Sequence, residues 1–112
     1  MNDSLSVNLT NLREITDGDT ELEAELFEEF RTSSSALMIE LEHNLQNDDY
    51  EPWRKTAHAL KGIAANLGAG QLANLAKEGQ ENYKALVNVK QNLLNQIKSE
   101  YINVLRFLEL QK

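Results

Sequence analysis

A single proline, Pro52, and five glycines are all that punctuate 112 residues, and runs of β-branched side chains are scarce. So few breakers leave little to stop a helix once it has started, and strands need the turn-rich patterns missing here. The apolar spacing agrees, with four periodic segments behind a short helical lead-in at about residues 9–15. Asp17-Gly18-Asp19-Thr20 reads as a turn, with Asp19 or Thr20 capping the next helix. Leu22, Leu26, Phe30, Leu37, Leu41 and Leu45 then recur at helical spacing, and Ser33-Ser34-Ser35 is expected to loosen or bend that helix. Asn47-Asp48-Asp49 ends it and caps a third segment over residues 50–67, with Pro52 tolerated in the first turn. Gly68-Ala69-Gly70 stops the third helix. The fourth carries Leu72, Leu75, Ala76, Tyr83 and Leu86, with Gly79 inside it. The fifth runs over about residues 89–110 on a stripe of Leu94, Ile97, Tyr101, Val104, Leu105 and Leu108. Short connections between long amphipathic helices favour antiparallel neighbours. The expected fold is all-α: an up-and-down antiparallel four-helix bundle over about residues 19–110 with a short N-terminal helix, in one domain spanning 1–112.

Composition narrows the function. There is no cysteine, which removes disulfides, thiol catalysis and thiolate metal sites. A net charge of −7 argues against nucleic acid as a partner. The charge is uneven: residues 1–51 hold 14 acids and two bases, while residues 52–112 hold nine bases and four acids. Such asymmetry marks either a surface that meets an anion or an acidic helix neutralised by basic neighbours. No apolar run approaches the roughly 18 residues of a membrane span, and the first 20 residues lack a signal-peptide pattern. The expectation is a cytoplasmic, monomeric protein, free-standing rather than cut from a larger kinase.

Catalytic candidates are few. No glycine-flanked serine forms a nucleophile elbow, no phosphate-binding glycine loop is present, and the two histidines do not sit at metal-binding spacing. The run Glu21, Glu23, Glu25, Glu28, Glu29 is best explained as a solvated face. His43 lies near a helix C-terminus, where the dipole alone favours it. His58 differs. On a wheel of 100° per residue, Trp53, Thr56, Ala57, Leu60, Ala64 and Leu67 cluster within roughly 40–50° of one direction, and His58 points about 150° away. Its neighbours on that outward face are Arg54, Lys61, Gly62 and Ala65. A titratable nucleophile, a cation one turn on and a glycine that weakens the helix suit close approach by another protein. The chemistry this permits is phosphoryl transfer through imidazole, with Lys61 screening the phosphoryl charge. Three classes remain open: a phosphoryl carrier, a docking module that carries no phosphate, and a metal protein whose clustered ligands are not evident.

Ala57-His58-Ala59-Leu60-Lys61-Gly62, followed by Asn66-Leu67-Gly68-Ala69, resembles the central motif of histidine-containing phosphotransfer (HPt) domains. The family pattern is His-x-Leu-Lys-Gly with a further glycine six residues on, here Gly68. The resemblance implies that His58 is phosphorylated on the ring nitrogen farther from the backbone. It also implies that Lys61 stabilises the phosphoryl group and that Gly62 clears space for the partner. The residue matching the family's hydrogen-bond acceptor on the next helix is Gln80, with Lys84 one turn later as a second cation. Ala59, Ala65 and Arg54 would join the docking surface. The implied partners are response-regulator receiver domains or a hybrid histidine kinase. The receiver would bring the magnesium, and this chain would have no cofactor and no nucleotide site of its own. The sequence departs from the family at Gly79, usually an apolar position, which leaves room for a gap or bend beside Gln80.

Overall fold

The computed structural model describes residues 6–111, so the ends of the expected domain, residues 1–5 and 112, lie outside the described residues. Five helices occur in order: α1 (Thr10–Thr16), α2 (Thr20–Asn44), α3 (Glu51–Leu67), α4 (Gly70–Glu81) and α5 (Val87–Glu109). No strand occurs among the described residues. Helix α2 packs on α3, α3 on α4, α4 on α5, and α5 back on α2, while α1 leans on α2. One cluster of buried side chains fills the space between them.

Local chemistry accounts for the boundaries. The Asp19 carboxylate accepts the Leu22 N–H at 3.0 Å and so satisfies a donor that α2 itself leaves free. Helix α3 opens with Pro52 in its first turn, and the Asp49 carboxylate accepts the Glu51 N–H at 3.1 Å. It closes at Gly68, whose φ of +99° is left-handed, with the Ala69 N–H reaching back to the Ala64 carbonyl at 2.8 Å. The buried residues of α3 are the six expected: Trp53, Thr56, Ala57, Leu60, Ala64 and Leu67. Full burial of one such leucine contributes about 1.5–3 kcal/mol.

Three expectations need correction. Helix α2 runs unbroken through Ser33-Ser34-Ser35. Ser34 is fully buried and pairs its hydroxyl with that of Tyr101 on α5 at 2.8 Å, so the polar group is satisfied without leaving the helix. The buried stripe of α2 is accordingly Phe27, Phe30, Ser34, Met38 and Leu41, while Leu22 is exposed and Leu26 and Leu37 only half-buried. Helix α4 stops at Glu81, short of Tyr83 and Leu86. The Asn82 backbone and side-chain N–H groups both donate to the Glu78 carbonyl (3.0 and 2.8 Å), which ends the helix there and leaves Leu86 exposed.

The charge asymmetry is only partly resolved inside the fold. Glu42–Lys98 (2.7 Å) and Glu51–Arg54 (2.7 Å) join acids of the first half to bases of the second. Lys55, Lys61 and Lys77 find no acidic partner among the described residues.

Lys90 is buried, a position that composition did not suggest. Its ammonium lies 5.2 Å from the ring centres of both Tyr50 and Trp53 and donates to the Tyr83 carbonyl at 3.1 Å. Loss of hydration holds its pKa below the ordinary lysine value. The unfolded chain therefore keeps this proton to higher pH than the folded one, and stability should rise with pH just below about 10.4. Urea denaturation of wild type and Lys90→Met at pH 7 and pH 10 checks the sign: the difference should move in favour of wild type at the higher pH. A difference independent of pH would contradict it.

The N-terminal strap makes the second test. Val7 and Leu9 are buried, and the Asn8 N–H donates to the Gly68 carbonyl at 2.9 Å. A Cβ on Gly68 would collide with the Asn8 backbone carbonyl as well as sit at positive φ. Gly68→Ala should cost more than about 2 kcal/mol in chemical denaturation, and a loss under about 0.5 kcal/mol would show that the strap is not held there.

Candidate functional site

The site is the half of α3 that the core does not use. With Trp53, Ala57, Leu60 and Ala64 wholly buried, the helical repeat turns His58, Ala59, Gly62 and Ala65 outward, and all four are exposed. His58 makes no hydrogen bond or ion pair among the described residues, so both ring nitrogens are open. Lys61, one turn on, is half-buried. An exposed imidazole beside an ammonium, on a surface of small side chains, suits attack on an anionic electrophile.

Gly62 decides between a structural and a functional reading of this face. Its backbone is helical, and a Cβ built there would meet nothing within 4 Å. Nothing among the described residues therefore requires glycine at that position.

Arg54 is half-buried and already engaged. Its Nη2 and Nε donate to the Glu51 carboxylate one turn back, at 2.7 and 3.0 Å. This hydrogen bond is the largest influence on the Glu51 carboxyl. With the guanidinium charge beside it, it holds that carboxyl below the usual carboxylate range against the opposing effect of burial. The pair borders the histidine face rather than pointing a free cation at it.

Helix α4 brings up the other side. The Cβ that Gly79 lacks would stand 3.9 Å from the Ala57 Cβ, so the residues next to His58 and next to Gln80 are in near contact. Helix α4 continues through Gly79 as one unbroken α-helix. Gln80 is half-buried, and its Oε1 is shielded from solvent with no hydrogen-bond donor on it. Leaving such an acceptor unpaired costs about 1–3 kcal/mol. No hydrogen bond joins it to His58. Lys84 is not one helical turn beyond Gln80, as expected, but in the turn after α4, exposed, with its Nζ 5.5 Å from the Tyr83 ring centre. The cause is the Asn82 cap described above.

A groove of about 730 Å³ between α2 and α3 reaches this face at Lys55 and Ala59, and Ile39, Glu40 and His43 line its far wall. Sequence reasoning leaves His43 as an idle helix-end histidine, and the groove places it on the flank of the same surface. Among the described residues no group of three His, Asp or Glu gathers closely enough to hold a metal ion. Two residues behind the site escape a reading of the sequence. Trp53 stands out only as core, and Lys90 not at all, although it precedes Leu94 and Ile97 by four and seven residues on the buried stripe of α5.

A family model for the Hpt domain matches residues 25–106. The chain belongs to the Hpt domain family, the phosphotransfer modules of two-component phosphorelays, which are not autonomous kinases and which interact with receiver domains and histidine kinases. No curated protein and no solved structure matches it. No described helix is long and apolar enough to cross a membrane.

If Gly62 is glycine for a partner's sake, Gly62→Ala should stabilise the free protein by about 0.5–1 kcal/mol, read as a higher denaturation midpoint. A destabilised variant would mean that the position serves the fold instead.

Proposed function

We propose that this protein carries a phosphoryl group on His58 between aspartates of response-regulator receiver domains. The observation that carries the reading is His58 itself: exposed, free of hydrogen bonds, and set between half-buried Lys61 and a glycine that the fold does not need. In the loading transfer the lone pair of Nε2 attacks the phosphorus of an aspartyl phosphate: the N–P bond forms as the P–O bond breaks, and the aspartate leaves as a carboxylate. The onward transfer is the reverse: a carboxylate oxygen of the second receiver's aspartate attacks the phosphorus, the P–O bond forms as the N–P bond breaks, and the electron pair returns to Nε2. The proton on Nδ1 stays on the ring and is donated to an acceptor, for which the unpaired Gln80 Oε1 is at hand. Lys61 offsets the growing charge on the phosphoryl oxygens. Lys84, exposed in the turn beyond α4, serves as a second cation at the rim of the site.

Gly62, Ala59 and Ala65 let a receiver's active site come close, and Arg54 borders the contact. The magnesium belongs to that receiver, and this chain supplies nucleophile and docking surface without a cofactor. The partner is a receiver domain, alone or within a hybrid histidine kinase. The protein acts as a cytoplasmic monomer in a single domain. Its four main helices alternate up and down, a reading supported by ion pairs that run in opposite directions along α2 and α5: Arg31 with Glu109 and, further along α2 but earlier on α5, Glu42 with Lys98.

The test is transfer from receiver domains charged with radiolabelled acetyl phosphate. Wild type should gain acid-labile, alkali-stable label, and His58→Gln should gain none while its stability stays within about 0.5 kcal/mol of wild type. Label on the variant would move the site elsewhere. Receiver binding without label on either protein would favour a docking module that carries no phosphate.

A further inference from the structure

Gln80 sits in the last turn of α4, where backbone carbonyls run out of helical N–H partners. The Glu78 carbonyl is taken by Asn82. The Gly79 carbonyl is taken from outside the helix: it accepts the indole N–H of Trp53 at 2.8 Å, in buried surroundings. Just past the helix, the Tyr83 carbonyl accepts from Lys90, whose ammonium also lies against the Trp53 ring. Side chains from α3 and α5 thus hold the backbone on both sides of Gln80. The fit depends on a small residue at position 79, where a methyl group would make only ordinary contacts. The Cβ position there is 3.8 Å from Trp53 Cζ2 and 3.7 Å from Ile97 Cδ1, so a larger side chain would need the space that the indole fills.

We propose that Trp53, braced by Lys90, is a positioning residue for the histidine site: it caps the last turn of α4 and so keeps the Gln80 amide oxygen beside α3. This inference rests on the relay reading of His58. The carbonyl that Trp53 holds and the N–H of Gln80 belong to one rigid peptide unit, so the bond fixes the plane from which Gln80 departs. Helix ends fray at low cost, and a frayed turn would release the acceptor from the ring it is to orient. Of the apolar side chains that could fill this volume, only an indole adds a donor aimed at the carbonyl. The small residue at position 79 then leaves room for the Trp53 indole rather than marking a flaw in α4.

Trp53→Phe keeps an aromatic ring and removes the donor. Where that variant is too unstable, benzothienylalanine in place of the single tryptophan keeps the shape and lacks the N–H. Three readouts are taken on the full chain: amide hydrogen exchange at residues 80–82, the His58 tautomer ratio from ring nitrogen shifts, and the lifetime of phosphohistidine formed with phosphoramidate. Removing one buried hydrogen bond should speed exchange at residues 80–82 about five- to tenfold. The tautomer ratio and lifetime should shift as they do in Gln80→Ala, and adding Trp53→Phe to Gln80→Ala should change them little further. Unchanged exchange, or effects that add in full, would overturn the proposal. Accelerated exchange with His58 unlabelled even in wild type would overturn the relay reading while supporting the cap.

Discussion

Burial of one narrow stripe on α3 is the constraint on which the rest of this structure depends. Trp53, Ala57, Leu60 and Ala64 are removed from water entirely, and two of the four are alanines, which keep the contact narrow. Because their partners on α4 include Gly79, the two helices meet closely and cover only half of α3. The other half has nowhere to go but solvent. An exposed histidine is therefore not an ornament added to the fold but the product of the helical repeat opposite a tightly packed face. A rotation of α3 by one residue would bury the imidazole and expose core.

The interior behind that face is more polar than its apolar stripes suggest. Lys90 carries a cation among two aromatic rings, and Gln80 Oε1 and Glu100 Oε2 lie buried without partners. Burying such groups costs stability unless something answers them. Lys90 is answered by rings and a carbonyl, and Glu100 in part by the Asn103 amide at 3.2 Å. Gln80 Oε1 is answered by nothing among the described residues, and Gln80 stands on the helix that packs beside the histidine. The uneven distribution of cations has the same sense: Lys55 and Lys61 flank the histidine face on α3 and form no ion pair among the described residues.

How far the sequence can be read depends on whether an element's logic is local. Helix α3 is fully legible, because its stripe is continuous, its start carries Asp49 and Pro52, and its end carries Gly68. His58, Lys61 and Gly62 emerge from the same wheel. The middle of α2 is not legible in this way, since serine weighs as a helix breaker, whereas Ser34 is satisfied by Tyr101, 67 residues away. No spacing rule shows such a partner. The end of α4 is hidden for a local reason: Asn82 can cap a helix with its side chain but is not glycine, and Lys84 is misplaced with it. Lys90 lies on the α5 stripe in plain view, but a charge is ordinarily assigned to solvent, and only the cage of Tyr50, Trp53 and the Tyr83 carbonyl explains its burial.

The strap across Gly68 has a consequence for how the chain reaches this state. Helices α3 and α4 are joined by two residues, Gly68 and Ala69, so their pairing closes a short loop and can form early. The bond from Asn8 to Gly68 instead joins residues 60 positions apart, and its acceptor takes shape only once the turn between α3 and α4 exists. During synthesis, Val7 and Leu9 leave the ribosome well before Gly68 and must wait until it has emerged before they find their place. The segment around Asn8 is thus made before its acceptor and docked after it, and the histidine helix is assembled before the strap seals its far end.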